Sequence, residues 1–243
     1  MSRKAKRNHL HPGHREPHSE PAPKRSRFGR LGSVIVIVAA VLVALGLGTL
    51  LFKSKGTSSG QVADTSNEAA LASSQAPTLG DAHARVHIVE FLDPACETCA
   101  QFYPMVKRWL DEHPGQIRLS VRHVAFHEGA EYAVRVLEAS RGQDKYWQTL
   151  EALLASQSVW APHHTVQPDL VLQAIAPVGL DVARLQADMA SRDVTQRIAR
   201  DREDAMALKV TATPEYFVNG RPLPSFGASE LQALISEELQ KSP

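Results

Sequence analysis

Hydrophobic and polar positions change rhythm several times along this 243-residue chain, and each change predicts an element. From Leu31 to Phe52, twenty-two residues carry no charge, and only Ser33 and Thr49 are hydroxylic. At about 1.5 Å rise per residue, such a helix crosses a hydrocarbon core of about 30 Å. Residues 53–78 are rich in Ser, Ala, Gly and Thr and read as a flexible linker. Val86 to Leu92 is a mostly apolar, β-branched run of the kind a buried strand carries. Phe102, Met105, Val106, Trp109 and Leu110 then recur at helical spacing, with Pro104 placed to bend that helix or break its ladder locally. A second strand is predicted over 117–126. Helices follow over 130–141, 146–155 and 170–176, with two more inside 181–208. Tyr216 to Val218 and Arg221 to Leu223 flank Asn219-Gly220, a two-residue hairpin signal. An amphipathic helix over 229–239 closes the chain. This order of strand, helix, strand, helical insert, hairpin and helix predicts an α/β fold with helices covering a sheet, over residues 79–243.

Charge adds an orientation. The formal net charge is +1, yet residues 1–30 hold nine Lys/Arg and two acids, while residues 56–243 hold sixteen Lys/Arg and twenty-four acids. The folded part is therefore mildly acidic, which excludes nucleic acid as a partner, since phosphate binding needs clustered positive charge. Lys24, Arg25, Arg27 and Arg30 precede the apolar run, and only Lys53 and Lys55 follow it closely. The basic side stays in the cytoplasm under that bias. Residues 1–30 then form a basic cytoplasmic tail, residues 31–52 a single transmembrane anchor, and the domain faces a compartment where disulfides persist. A cleaved signal peptide has an apolar core of roughly 7–15 residues, and this run is longer.

The chain has two cysteines, Cys96 and Cys99, between the first strand and the helix after it. A Cys-x-x-Cys pair opening a helix is the arrangement of a redox dithiol. Amide N–H groups and the helix dipole favour a thiolate on Cys96, which attacks, while Cys99, one turn further in, resolves the mixed disulfide. Glu97 puts a negative charge beside that thiolate and is expected to make the couple less oxidising. Half of a zinc site is the rival: zinc wants four ligands, and His123, His127, His163 and His164 could supply them only through folding. A purely structural bridge over so short a loop removes little unfolded-state entropy. Two further readings stay open: a metal (copper) handling module using the cysteine pair and a histidine, and a non-catalytic binding domain.

Several segments together carry a resemblance. They are Gly80-Asp81-Ala82, Val89-Glu90-Phe91 leading into Cys96-Glu97-Thr98-Cys99, Arg122-His123, Lys145-Tyr146-Trp147, Gly179-Leu180-Asp181, and the run from Val210 through Thr213-Pro214 to Asn219-Gly220. Over residues 79–240 the chain resembles the thioredoxin superfamily, and within it the membrane-tethered or periplasmic DsbA-like thiol:disulfide oxidoreductases. The resemblance implies a thioredoxin-like fold with a helical insertion, and disulfide exchange with cysteine-containing clients through Cys96 and Cys99. It implies no cofactor. It implies a membrane redox partner that recycles the dithiol, and a place on the outer side of a bacterial inner membrane. It makes Pro214 a cis proline, preceded by Thr213, where substrate binds, and Glu90 a buried acid that shuttles the proton of Cys99. Asp93 reads as a loop residue. Ala95 stands where a Trp is common, Lys209 and Ala212 where glycines are, and Ala125 where a Pro is. Whether the protein oxidises, reduces or isomerises is left open.

Overall fold

A computed structural model describes residues 67–241. The basic tail, the apolar run 31–52 and the first part of the linker lie outside the described residues. Among the described residues no helix is long and apolar enough to cross a membrane.

The elements in order are β1 (Thr78–Gly80), β2 (Val86–Leu92), α1 (Glu97–Glu112) and β3 (Ile117–His123), then a helical insert. The insert comprises α2 (Ala130–Ser140), α3 (Tyr146–Ala155), α4 (Gln157–Trp160), α5 (Pro168–Ile175), α6 (Val182–Met189) and α7 (Arg192–Ala207). The chain returns as β4 (Glu215–Val218), β5 (Arg221–Pro222) and α8 (Ala228–Gln240). One sheet of five strands runs β1-β3-β2-β4-β5. Strands β2 and β3 are parallel, joined through α1, and the other pairs are antiparallel. This is the thioredoxin-like α/β arrangement with a helical insertion.

Alternation along β2 divides the core. Val86, Ile88 and Leu92 join the larger cluster with Val106 and Trp109 of α1 and Leu231, Leu234 and Ile235 of α8. Val89 and Phe91 point to the opposite face, where Phe217, Val124, Val210 and Ala205 of α7 cover them. Glu90 has the parity of Ile88 and Leu92, so it faces the side that α1 covers. This placement decides its chemistry.

Some boundaries depart from the sequence expectation. The domain begins before residue 79: Ala70 and Leu71 are buried, and Leu71 packs into the smaller cluster. The buried Arg122 guanidinium also donates to the Ala70 carbonyl at 2.8 Å, so the end of the presumed linker is part of the fold. Strand β3 ends at His123, opposite Leu92 where its partner β2 ends, and beyond it the Phe126 amide bonds the Asp93 carboxylate instead. Helix α1 is continuous through Pro104. The missing N–H there costs one ladder bond without ending the helix. The turn between β4 and β5 carries positive φ at both Asn219 and Gly220 (48° and 81°), as a two-residue hairpin of this hand requires.

Candidate active site

Cys96 is the N-cap residue of α1, and Cys99 lies one turn in. Both are free, buried thiols. The first amides of a helix have no partner inside it, so a group at its N-cap meets a ring of N–H donors. The Cys96 thiol is lowered from 9.0 to about 5: the Cys99 S–H donates to it, burial opposes, and the Thr213 side chain and the Cys99 and Thr98 amides add to the fall. Cys99 is pushed well above the usual thiol range by burial, by its bond to Cys96 and by the nearby Glu90 charge. One turn of helix therefore holds two thiols in opposite regimes. Glu97 stands exposed in solvent, where screening weakens it, and it does not keep Cys96 near its ordinary value.

Thr213 and Pro214 reach the dithiol from the loop before β4. The Thr213–Pro214 peptide bond is cis. The Cys96 Sγ lies 3.2 Å from the Thr213 carbonyl oxygen, a position from which the thiol form donates. The Thr213 backbone is thus within hydrogen-bond reach of the Cys96 sulfur.

Glu90 is fully buried on β2. It stands directly opposite Tyr216 of β4 and Val121 of β3. The Tyr216 hydroxyl donates to Glu90 Oε1 at 3.0 Å, while Oε2 is buried with no partner among the described residues. Burial raises the Glu90 carboxyl from 4.5 to about 8, the Tyr216 hydrogen bond opposes that rise, and the Cys96 charge adds to it. A carboxyl with such a value gives up and takes back a proton near neutrality.

The sequence did not single out the residues that hold the dithiol loop. Asp93 is fully buried and accepts from three amides, Ala95, Phe126 and His127, and pairs with His127 Nδ1 at 2.8 Å. It is more than a loop residue: its carboxylate ties the segment before Cys96 to the chain leaving β3. An Asp ending an apolar strand ahead of Pro94 was the available signal, because such side chains cap their own turns. Gln157 of α4 donates from Nε2 to the Pro94 and Cys96 carbonyls at 2.7 and 2.9 Å. Tyr216 was legible only as a strand residue.

The histidines divide. The rings of His127 and His164 stack with centroids 4.7 Å apart, and His164 Nδ1 lies 3.2 Å from the Ala95 carbonyl. His123 turns elsewhere, with Nε2 bonded to the Tyr146 hydroxyl at 2.8 Å. His163 is exposed. Among the described residues no group of three or more His, Cys, Asp or Glu side chains gathers as a metal site.

Known proteins resemble this chain. A family model described as Thioredoxin matches residues 72–237. The Na(+)/H(+) antiporter NhaA of Herminiimonas arsenicoxydans is 32% identical over 219 residues, covering 86% of this chain and 33% of that protein. The chain thus spans a third of that relative's length. A probable disulfide bond formation protein D from Bacillus cereus is 26% identical over 213 residues, covering 84% of this chain and 95% of that protein. Among solved structures, a thioredoxin-like oxidoreductase from Silicibacter pomeroyi DSS-3 superposes with a TM-score of 0.61 at 30% identity, covering 71% of this chain and 98% of the other. Oxidised BdbD from Bacillus subtilis has a TM-score of 0.61 at 23% identity, over 69% of this chain and 94% of the other, a likeness of fold.

Proposed function

We propose, for a chain that belongs to the thioredoxin family and to its DsbA-like branch, that it is a thiol:disulfide oxidoreductase acting on cysteine-containing proteins. The carrying observation is the split between the two thiols: Cys96 lowered to about 5 beside the Thr213 backbone, and Cys99 raised behind it. At pH 7 a thiol with a pKa near 5 is about 99% ionised. Cys96 therefore attacks, or is attacked, first. A client strand lying along Thr213-Pro214 would pair with the backbone that now meets Cys96. Cys99, protected as a thiol, enters second and needs a base. Glu90 supplies it, taking the Cys99 proton during resolution and returning it in the reverse direction.

A stabilised Cys96 thiolate favours the reduced dithiol, which makes the oxidised protein a good oxidant. The proposed direction is accordingly donation of disulfides, with a membrane redox partner withdrawing the electrons. The uncharged run 31–52 and the positive charge ahead of it support a single-pass anchor in a bacterial inner membrane, with the domain outside the cytoplasm. The likeness to antiporters reaches only part of those proteins, and no ion transport is proposed.

Cys99→Ser should accumulate mixed disulfides between Cys96 and client proteins, while Cys96→Ser should trap none. Equal trapping by both variants, or by neither, would refute the assignment. A reduction potential for the pair at or below the thioredoxin value of about −270 mV would refute the oxidising direction.

A further inference from the structure

We infer that Tyr216 is a positioning residue for disulfide exchange: its hydroxyl holds Glu90 by Oε1 and assigns the travelling proton to Oε2. This role rests on the reading of Glu90 as the base for Cys99.

The sheet fixes the pair. Tyr216 and Glu90 are directly opposed residues on adjacent antiparallel strands, so their separation is set by the backbone ladder. Both are fully buried, and the phenol O–H donates to Oε1 at 3.0 Å. An oxygen already accepting from a fixed donor is the poorer place for a second proton, and Oε2 has no partner among the described residues. Oε2 is therefore the basic atom. The phenol is also held in place. Phe102 stacks on it with centroids 6.2 Å apart and planes 26° apart, and Phe226 covers Phe102 at 4.8 Å. This apolar cover leaves the Tyr216 hydroxyl as the polar contact of the carboxyl.

The groups around Glu90 are few. Helix α1 contributes Cys96, Cys99 and Tyr103, whose ionisation is coupled to Glu90. Strand β4 contributes Tyr216, and the neighbour on β3 is the apolar Val121. Helix α8 contributes Leu231, Leu234 and Ile235 to the same core, and its buried Glu238 is bonded to Asn219, Arg221 and Lys241 instead.

In a mixed disulfide between Cys96 and a client, Glu90 Oε2 takes the proton of the Cys99 thiol. The Cys99 sulfur attacks Cys96 Sγ, the Cys96–Cys99 bond forms, and the bond to the client breaks. The client sulfur leaves with the electron pair as a thiolate. Two electrons have passed from the dithiol to the client. Tyr216 keeps its own proton throughout, since burial raises it far above the usual phenol range. Run backwards, which is the disulfide-donating direction proposed above, a client thiolate attacks Cys96 Sγ, the Cys96–Cys99 bond breaks, and Oε2 returns the proton to the leaving Cys99 sulfur.

The test is Tyr216→Phe, which removes one oxygen and leaves the ring. The full-length reduced protein is mixed with glutathione disulfide, and the release of the second glutathione, which reports attack by Cys99, is followed against pH. Losing a hydrogen bond to the ionised carboxylate should move the midpoint of the profile up by about one to two pH units, and slow resolution about tenfold or more at pH 7. Glu90→Gln should abolish that titration, and Tyr216→Phe added to it should change nothing further. If Glu90→Gln keeps the wild-type midpoint, the reading of Glu90 itself fails. If Glu90→Gln removes it while Tyr216→Phe leaves it in place, only the role of Tyr216 fails. A measurement on the unmutated protein guards against misfolding of the variant. The infrared carbonyl band of protonated Glu90, identified by its loss in Glu90→Gln, should be that of a hydrogen-bonded carbonyl. A free-carbonyl band would overturn the inference.

Discussion

Replacing Glu90 by glutamine should change how stability depends on pH, and by an amount the structure sets. The Glu90 carboxyl is raised from 4.5 to about 8, with burial the leading cause. A group whose pKa is higher folded than unfolded binds protons more tightly in the folded state. Its stabilising effect is complete below the unfolded value and is lost as pH rises through the folded one. Each unit is worth about 1.4 kcal/mol, so between pH 4.5 and 7 the protein should lose about 3 kcal/mol through this one residue. The loss should level off above about pH 8, near 5 kcal/mol in all. Those are large shares of a typical domain stability of about 5–15 kcal/mol. The Glu90→Gln side chain keeps an acceptor for Tyr216 but buries an amide where Oε2 had no partner, a constant penalty of about 1–3 kcal/mol. That penalty does not vary with pH, so the slope isolates the titration. Urea unfolding at a series of pH values from about 4.5 to 8.5 measures it. The oxidised protein is the cleaner form, because neither thiol titrates in it, and without the Cys96 charge its Glu90 shift should be somewhat smaller. The variant should gain on the wild type steadily from the unfolded to the folded value of the carboxyl. A difference that stays flat over that range would refute the claim that Glu90 is held neutral by burial.

Three other outcomes follow from the same geometry. The ultraviolet absorbance of the Cys96 thiolate should titrate with a midpoint near 5, and Cys99→Ala, which removes the S–H that donates to it, should move that midpoint up by about one unit; an unmoved midpoint would refute the assignment of the Cys99 S–H as that donor. Arg122→Met should cost about 3–5 kcal/mol in chemical denaturation, because it strands the Asp201 carboxylate now bonded to Nε at 2.5 Å and frees the Ala70 carbonyl; a change under about 1 kcal/mol would show that the pair contributes little net stability. Gln157→Leu removes both bonds from the insert to the Pro94 and Cys96 carbonyls, and should cost about 1–3 kcal/mol while slowing attack by Cys96 on a disulfide; unchanged kinetics would mean that Gln157 does not position the dithiol.

How much of this was legible depended on the kind of signal each residue carried. Strand β2 and helix α3 were read to the residue, because mostly apolar, β-branched runs and helical stripes depend on local composition. Cys96 and Cys99 were legible because their spacing matters along a single helix. Glu90 was legible through the family resemblance, which puts a buried acid at its place in the strand. Its partner was not, since Tyr216 lies 126 residues away and a Tyr in a strand is ordinary. Asp93 and Gln157 were missed for a related reason: their function is to bond backbone groups of a distant segment, and any polar side chain could occupy a loop or a short helix. Lys209 shows a local pattern overridden by context. It sits where glycine would be easier, at φ 60°, and closes α7 in the left-handed conformation nonetheless.

In the proposed reaction, position rather than residue type separates the two members of the dithiol. Both groups are cysteines, and both are buried. Cys96 is at the end of α1, where unpaired amides and a neighbouring S–H outweigh the cost of burying charge. Cys99 is inside the helix, where desolvation dominates. A reaction that must start at one sulfur and finish at the other gains from this order, since the outer partner is always the one ready to exchange. The same order creates a difficulty, because Cys99 cannot lose its proton unaided at neutral pH. In the proposed mechanism Glu90 resolves it only because it too is buried: an acid in solvent would be ionised but too weak a base to take the proton. The cost of burying that carboxyl, about 3 kcal/mol at pH 7, is therefore the counterpart of its basicity. Removing the first should remove the second, so a Glu90 variant that stabilises the protein toward alkaline pH should also be slow in resolution.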